Sequence, residues 1–181
     1  KAIKAKCARK SDYPFDEYKI NKFDTTTQKR AIAKTDVLKF TTEVQPIGKQ
    51  QYMELSKDIF VFSYLCGGIN FTDIANLTKE NIQNGRLHYI RQKTKKLIKI
   101  GIPQEAMQII EKYSKESKGY LFPILDSHIH RTALQKQNRI HKILGKVNKN
   151  LKLLAADLGV EANLTTYVAR HSIFLFLLKN K

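Results

Sequence analysis

Arg170, flanked by His171 and Ser172, lies in Leu164–Leu178 (LTTYVARHSIFLFLL), a stretch that is otherwise almost wholly apolar. Thr165 and Thr166 suit a helix N-cap, and the residues from Tyr167 onward read as a helix apolar on all sides, which is the mark of burial. An arginine inside such a helix needs an anion. Either a carboxylate within the protein or a phosphate held from outside would serve. Two other groups could act with it, Lys93 beside a hairpin turn and Asp73 after a helix break. Cations converging on one point can stabilise a phosphorane-like transition state without a metal.

Other chemistries find little support. Gly67-Gly68 lacks the spacing of a dinucleotide loop or a P-loop, and there is no nucleophile elbow or catalytic-cysteine context. Of the five histidines, His128 and His130 form an HxH pair. With no third ligand or carboxylate placed to complete a metal site, the pair reads as a surface feature. Cys7 and Cys66 are far apart, without metal-ligand spacing, and fit a reducing compartment with no disulfide framework.

The 181 residues suffice for one domain with a sizeable core, plus part of a second. Apolar residues make up 42% of the chain, as in a folded protein. Lys and Arg number 33 against 16 Asp and Glu, a net charge of +17 that implies a polyanionic partner, most often nucleic acid. The cations are spread along the chain with no polybasic tail, so a basic folded surface is expected. No signal peptide and no apolar run long enough for a membrane span is present. The chain begins on Lys1, which reads as a piece of a longer protein.

The elements that must position Arg170, Lys93 and Asp73 are mostly helices. Residues 1–34 open with a short basic helix (KAIKAKCARK), which stops at Ser11-Asp12; the Tyr13-Pro14-Phe15 turn and a polar linker follow. Thr35-Asp36 caps a short helix to about Val44, and Pro46-Ile47-Gly48 breaks the chain. From Lys49 to Leu65 helical spacing predicts a core helix, ended by Gly67-Gly68. Asn70 or Thr72 caps another short helix through Asp73, Ile74 and Leu77. After the Asn84-Gly85 turn come strands Arg86–Thr94 and Leu97–Ile102, joined tightly by Lys95-Lys96. Pro103 opens a helix over Gln104–Lys118, with Ala106, Ile109, Ile110 and Tyr113 on its buried stripe. GYLFPILD (residues 119–126) is edge or loop because of Pro123. A long basic helix runs from about Ile129 to Leu158, with a bend at Gly145. The fold class is therefore α+β, mainly α, with a small antiparallel hairpin or sheet.

GGINFTDIANLTKENI, then HYIRQKTKKLIKI, then LTTYVARHS, in that order, resemble the catalytic domain of tyrosine recombinases, the phage-integrase family, and most of all integrases of bacterial mobile elements. The resemblance covers about residue 35 to the C-terminus; residues 1–34 look like the end of a core-binding domain and a linker. It implies DNA breakage and rejoining through a 3′-phosphotyrosine, with two arginines on the non-bridging oxygens and a hairpin lysine as general acid. It implies no metal or other cofactor, duplex DNA as partner, self-association on DNA, and a bacterial cytoplasmic, nucleoid-associated setting. The chemistry is sound, since a guanidinium grips a phosphate bidentately and a lysine can protonate a leaving oxygen.

Carried onto this chain, the resemblance makes Arg170 the arginine of the HxxRH motif and Lys93 the hairpin lysine. Asp73 is the acidic residue that orients neighbouring groups, and Tyr167 stands where many members have histidine. Asn70, His171, Lys95 and Lys96 become substrate-binding positions. Two departures stand out. Asn70 occupies the place of the first arginine, and Gly67 occupies the alternative place one turn earlier. Loss of such a contact is worth roughly 3–4 kcal/mol of transition-state stabilisation. None of the eight tyrosines falls at the nucleophile position, the chain ending at Lys181. Phe174 and Leu175 replace small residues and threaten overpacking, and IFLFLL calls for cover by a partner, a swapped element or the core. The chain as it stands is expected to bind DNA without cutting it. The alternative is a non-catalytic DNA-binding or regulatory remnant, and a third reading is a module for an acidic protein or RNA.

Overall fold

Met53, Leu55, Ile59, Phe60, Val61 and Phe62 are all buried, which makes α2 (Met53–Leu65) the centre of the fold. The structure, a computed structural model, describes residues 4–7, 9, 11, 13, 31–42, 52–116 and 118–179. Helix α1 (Lys34–Thr42) packs against α2 through Phe40, whose ring lies 5.2 Å from that of Phe60. α2 ends where Gly67 and Gly68 turn left-handed, at φ 67° and 76°, conformations that glycine adopts without steric cost. The short helix α3 (Phe71–Ala75) follows at once, and the Asn70 side chain caps it by accepting from the Asp73 amide at 2.8 Å. Of the two residues the sequence offers as cap, Asn70 takes the part.

A 3-10 turn (Lys79–Asn81) leads into a three-stranded antiparallel sheet, β1 (Ile82–Gln83), β2 (Arg86–Ile90) and β3 (Leu97–Gly101), in the order β1-β2-β3. Asn84 and Gly85 both have positive φ, 51° and 69°, the backbone that a tight hairpin requires. The register runs from Arg86 opposite Gly101 to Ile90 opposite Leu97. Pairing thus stops at Ile90, and Arg91–Thr94 is not strand. The connection is a loop across residues 91–96, longer than the Lys95-Lys96 turn that the alternation predicts. The Lys95 amide donates to the Arg91 carbonyl at 2.8 Å and the Arg91 amide to the Lys96 carbonyl at 2.9 Å, with Lys95 itself at φ 55°.

α4 (Gln104–Tyr113) buries Ala106, Ile110 and Tyr113 against α2 and ends five residues short of the predicted limit. There the Tyr113 hydroxyl donates to Asp58 at 2.8 Å, and Lys112 bridges Asp58 and Glu54. Residues 118–130 form a loop in which Phe122 packs on Phe62 at 5.0 Å. α5 (Ala133–Asp157) begins later than predicted, after a capping box of Thr132 and Gln135, and passes through Gly145 as one helix. Its Ile143, Val147, Leu151 and Leu154 face the core. α6 (Thr166–Lys179) lies on α2 and α5.

α6 corrects one expectation. Val168, Ala169 and Ser172 are buried, but Tyr167, Phe174, Leu177 and Leu178 are each more than half exposed. The helix is therefore covered on one side only among the described residues. Phe174 points away from the core, so no overpacking arises from it. Just before α1, the Ile32 amide donates to Ser172 Oγ at 3.0 Å, and Lys34 lies over the Phe176 ring at 5.2 Å. The turn at Pro14, the polar linker over residues 16–30 and the break at Pro46-Ile47-Gly48 lie outside the described residues. Of the predicted opening helix, residues 4–7 form turns. No helix among the described residues is long and apolar enough to cross a membrane.

Candidate functional site

Arg170 is anchored from below by a glycine. A Cβ added at Gly68 would lie 2.9 Å from Arg170 Cα, 3.0 Å from its Cγ and 3.1 Å from Ile173 Cγ2. The Gly67-Gly68 pair is thus more than a helix stop, because the missing side chain lets α6 settle on the α2–α3 corner. The N-terminus of α6 is tied to α5, with the Thr166 amide donating to Asn148 Oδ1 at 2.9 Å. Arg170 is half-buried, and its guanidinium makes no ion pair or hydrogen bond among the described residues.

Asp73 is buried, and its carboxylate reaches the hairpin loop, where Oδ1 accepts from the Gln92 amide at 2.8 Å. This bond pins the segment that carries Lys93, which is exposed together with Lys95 and Lys96. Tyr89, half-buried on β2, reports how the groups converge. Its hydroxyl is pushed up to about 12, first by burial and then by the Asp73 carboxylate, while Arg170 and Arg91 act in the opposite direction. α3, the hairpin and α6 thus bring Asp73, Tyr89, Arg91 and Arg170 into one electrostatic neighbourhood. At this range a guanidinium and a carboxylate each shift the hydroxyl.

The predicted residues divide accordingly. Asp73 and Arg170 share the cluster, and Lys93 stands in the loop that Asp73 holds. Tyr167 and His171 sit one turn apart on α6 with ring centroids 4.5 Å apart and edge-on, Tyr167 being 53% exposed. Asn70, in the place expected of an arginine, uses its side-chain oxygen as a cap. Lys95 Nζ lies 3.4 Å from Gln92 Oε1.

Sequence reasoning missed Tyr89, Arg91, Gln92 and the role of Gly68. Arg91 was legible as a cation two residues before Lys93, but the strand predicted through it hid the loop. A groove of about 680 Å³ continues from Gln92 across Thr72 and Asn76 to Lys136, Gln137 and His141 on α5. It too was unforeseen, because it joins three elements distant in sequence. At the HxH pair, His130 Nδ1 accepts from the Asp126 amide at 2.9 Å. Among the described residues no group of three His, Cys, Asp or Glu is placed to hold a metal.

No protein-family model and no curated protein matches the sequence. Among solved structures the chain is similar to XerA recombinase, with a TM-score of 0.54 at 13% identity over 99% of this chain. The chain spans 65% of that structure's length. The class defined is one of fold: a mainly helical domain with a small antiparallel sheet, built like that of a recombinase.

Proposed function

We propose that this chain binds duplex DNA as the catalytic-domain part of a tyrosine recombinase or integrase, residues 35–181 forming that domain and residues 1–34 the end of the one before. The observation that carries the reading is Arg170: a half-buried guanidinium, seated on Gly68, that makes no ion pair with any described carboxylate. Such a cation suits a phosphate arriving from outside. The net charge of +17 and the fold likeness to a recombinase support the same partner. In this reading Arg170 holds a non-bridging phosphodiester oxygen and Lys93 donates to a bridging oxygen of the same phosphate. Asp73 sets the loop that carries Lys93, and Tyr167 and His171 offer hydrogen bonds from α6. Asn70, Lys95 and Lys96 line the approach. Self-association on DNA belongs to the proposal, supported by the exposed Phe174, Leu177 and Leu178 on α6.

One observation favours binding without cutting. Asn70 stands where the family has an arginine, and its side chain is committed to the α3 cap. Competition separates the partners: duplex DNA, an RNA hairpin and polyglutamate are titrated against labelled duplex. Preferential displacement by duplex DNA is expected, and preference for polyglutamate would overturn the reading. A nicked duplex trapped as a covalent adduct would show that strand cleavage is retained.

A further inference from the structure

Arg91 Nε is the one buried side-chain nitrogen or oxygen among the described residues that has no hydrogen-bond partner. A buried polar atom left in this state costs stability, and folded proteins carry few of them. The rest of the residue is held firmly. Its amide donates to the Lys96 carbonyl and its carbonyl accepts from the Lys95 amide. The next residue, Gln92, donates its amide to Asp73. The side chain is half-buried and forms no ion pair among the described residues, although buried Asp73 lies in the same neighbourhood. Arg91 and Arg170, from opposite sides of the chain, both act on the Tyr89 hydroxyl.

Two arginines that face one neighbourhood, neither paired with a carboxylate, make a site whose donors outnumber its one anionic acceptor, Asp73, which already accepts from the Gln92 amide. A phosphodiester supplies what is missing, with two non-bridging oxygens and a single charge. We infer that Arg91 is a second phosphate-binding arginine, gripping from the hairpin the same phosphodiester that Arg170 holds from α6. The inference rests on the DNA-binding reading and deepens it. The place expected of a first arginine is taken by Asn70, and the hairpin loop supplies the guanidinium instead. The loop geometry explains why. Had β2 continued through Thr94, residue 91 would belong to the ladder; because pairing stops at Ile90, Arg91 stands at the base of a loop pinned by Asp73.

The test compares Arg91→Met, Arg91→Lys and Arg170→Met for thermal unfolding and for binding of a short duplex at fixed salt. Methionine keeps the unbranched apolar stem and removes the unpartnered head. Arg91→Met is expected to unfold at an unchanged or higher temperature and to bind DNA about tenfold more weakly, as loss of a charge-assisted hydrogen bond implies. Arg91→Lys is expected to recover only part of that loss, since an ammonium cannot grip bidentately. A lower unfolding temperature for Arg91→Met, or failure to fold, would make Arg91 a structural residue and overturn the inference. Unchanged binding in Arg91→Met beside weakened binding in Arg170→Met would overturn it while leaving the DNA reading intact. Absence of duplex binding by the unmodified chain would remove both.

Discussion

Gly68 and Arg170 lie in contact across the α2–α6 junction, with no room for a side chain between them. The glycine fixes how close α6 comes to the corner from which α3 starts, and so where the Arg170 head emerges. Substitution by alanine meets both the Arg170 backbone and an unfavourable φ of 76°. Gly68→Ala is expected to cost about 1–3 kcal/mol of stability. It should also weaken DNA binding beyond what the stability loss explains. Gly67→Ala is the control, since an added Cβ there meets nothing within 4 Å and brings only the conformational penalty. Chemical denaturation of the pair measures the difference.

Asp73 acts on the site through the backbone. Asp73→Ala removes the acceptor for the Gln92 amide, and a stability loss of roughly 1–3 kcal/mol is expected from that unsatisfied group. Amide exchange at Gln92 should accelerate while exchange at Leu87 on β2 does not. Equal protection at Gln92 in both proteins would show that the loop is held by other means.

The Tyr89 hydroxyl gives the site a signature in alkali. Burial and the Asp73 carboxylate raise it from 10 to about 12. Between those values the folded chain retains a proton that the unfolded chain has lost, so stability is full below pH 10 and falls as pH rises toward 12. Tyr89→Phe should flatten that fall. Asp73→Asn should move the Tyr89 midpoint downward, because the carboxylate is one of the groups that raise it. Ultraviolet difference titration of each variant reads the midpoint, and an upward move in Asp73→Asn would refute the placement.

Away from the site, Asp58 offers a test of fold without function. It is buried between Lys112 and Tyr113. Asp58→Ala strands the buried Tyr113 hydroxyl while Lys112 keeps Glu54, and is expected to destabilise by about 1–3 kcal/mol. DNA affinity of the fraction that remains folded should not change.

Much of the fold is legible in the residues, because spacing and caps act locally. The α2 stripe, the Gly67-Gly68 stop, the Asn84-Gly85 turn and the Thr166 start of α6 each depend on neighbours within a few positions. What is not legible depends on distant partners. β2 stops at Ile90, and the loop beyond it is held through the Gln92 amide by Asp73, far back in the chain. α6 reads as buried on all sides because hydrophobicity alone does not say how much surface the rest of the chain has to cover it. Asn70 could be recognised as a cap, but the space above Gly68 shows only once α6 has docked.

The measurement that bears most directly on the central claim is duplex binding across a salt series, for the unmodified chain, Arg170→Met and Lys93→Met. Binding by phosphate neutralisation gives a log–log slope near −0.9 per phosphate contacted. A steep slope is expected for the unmodified chain, shallower in both variants, with weaker affinity at every salt concentration. A slope near zero, or one that neither variant changes, would mean that the +17 is surface charge serving solubility and that Arg170 and Lys93 do not meet DNA.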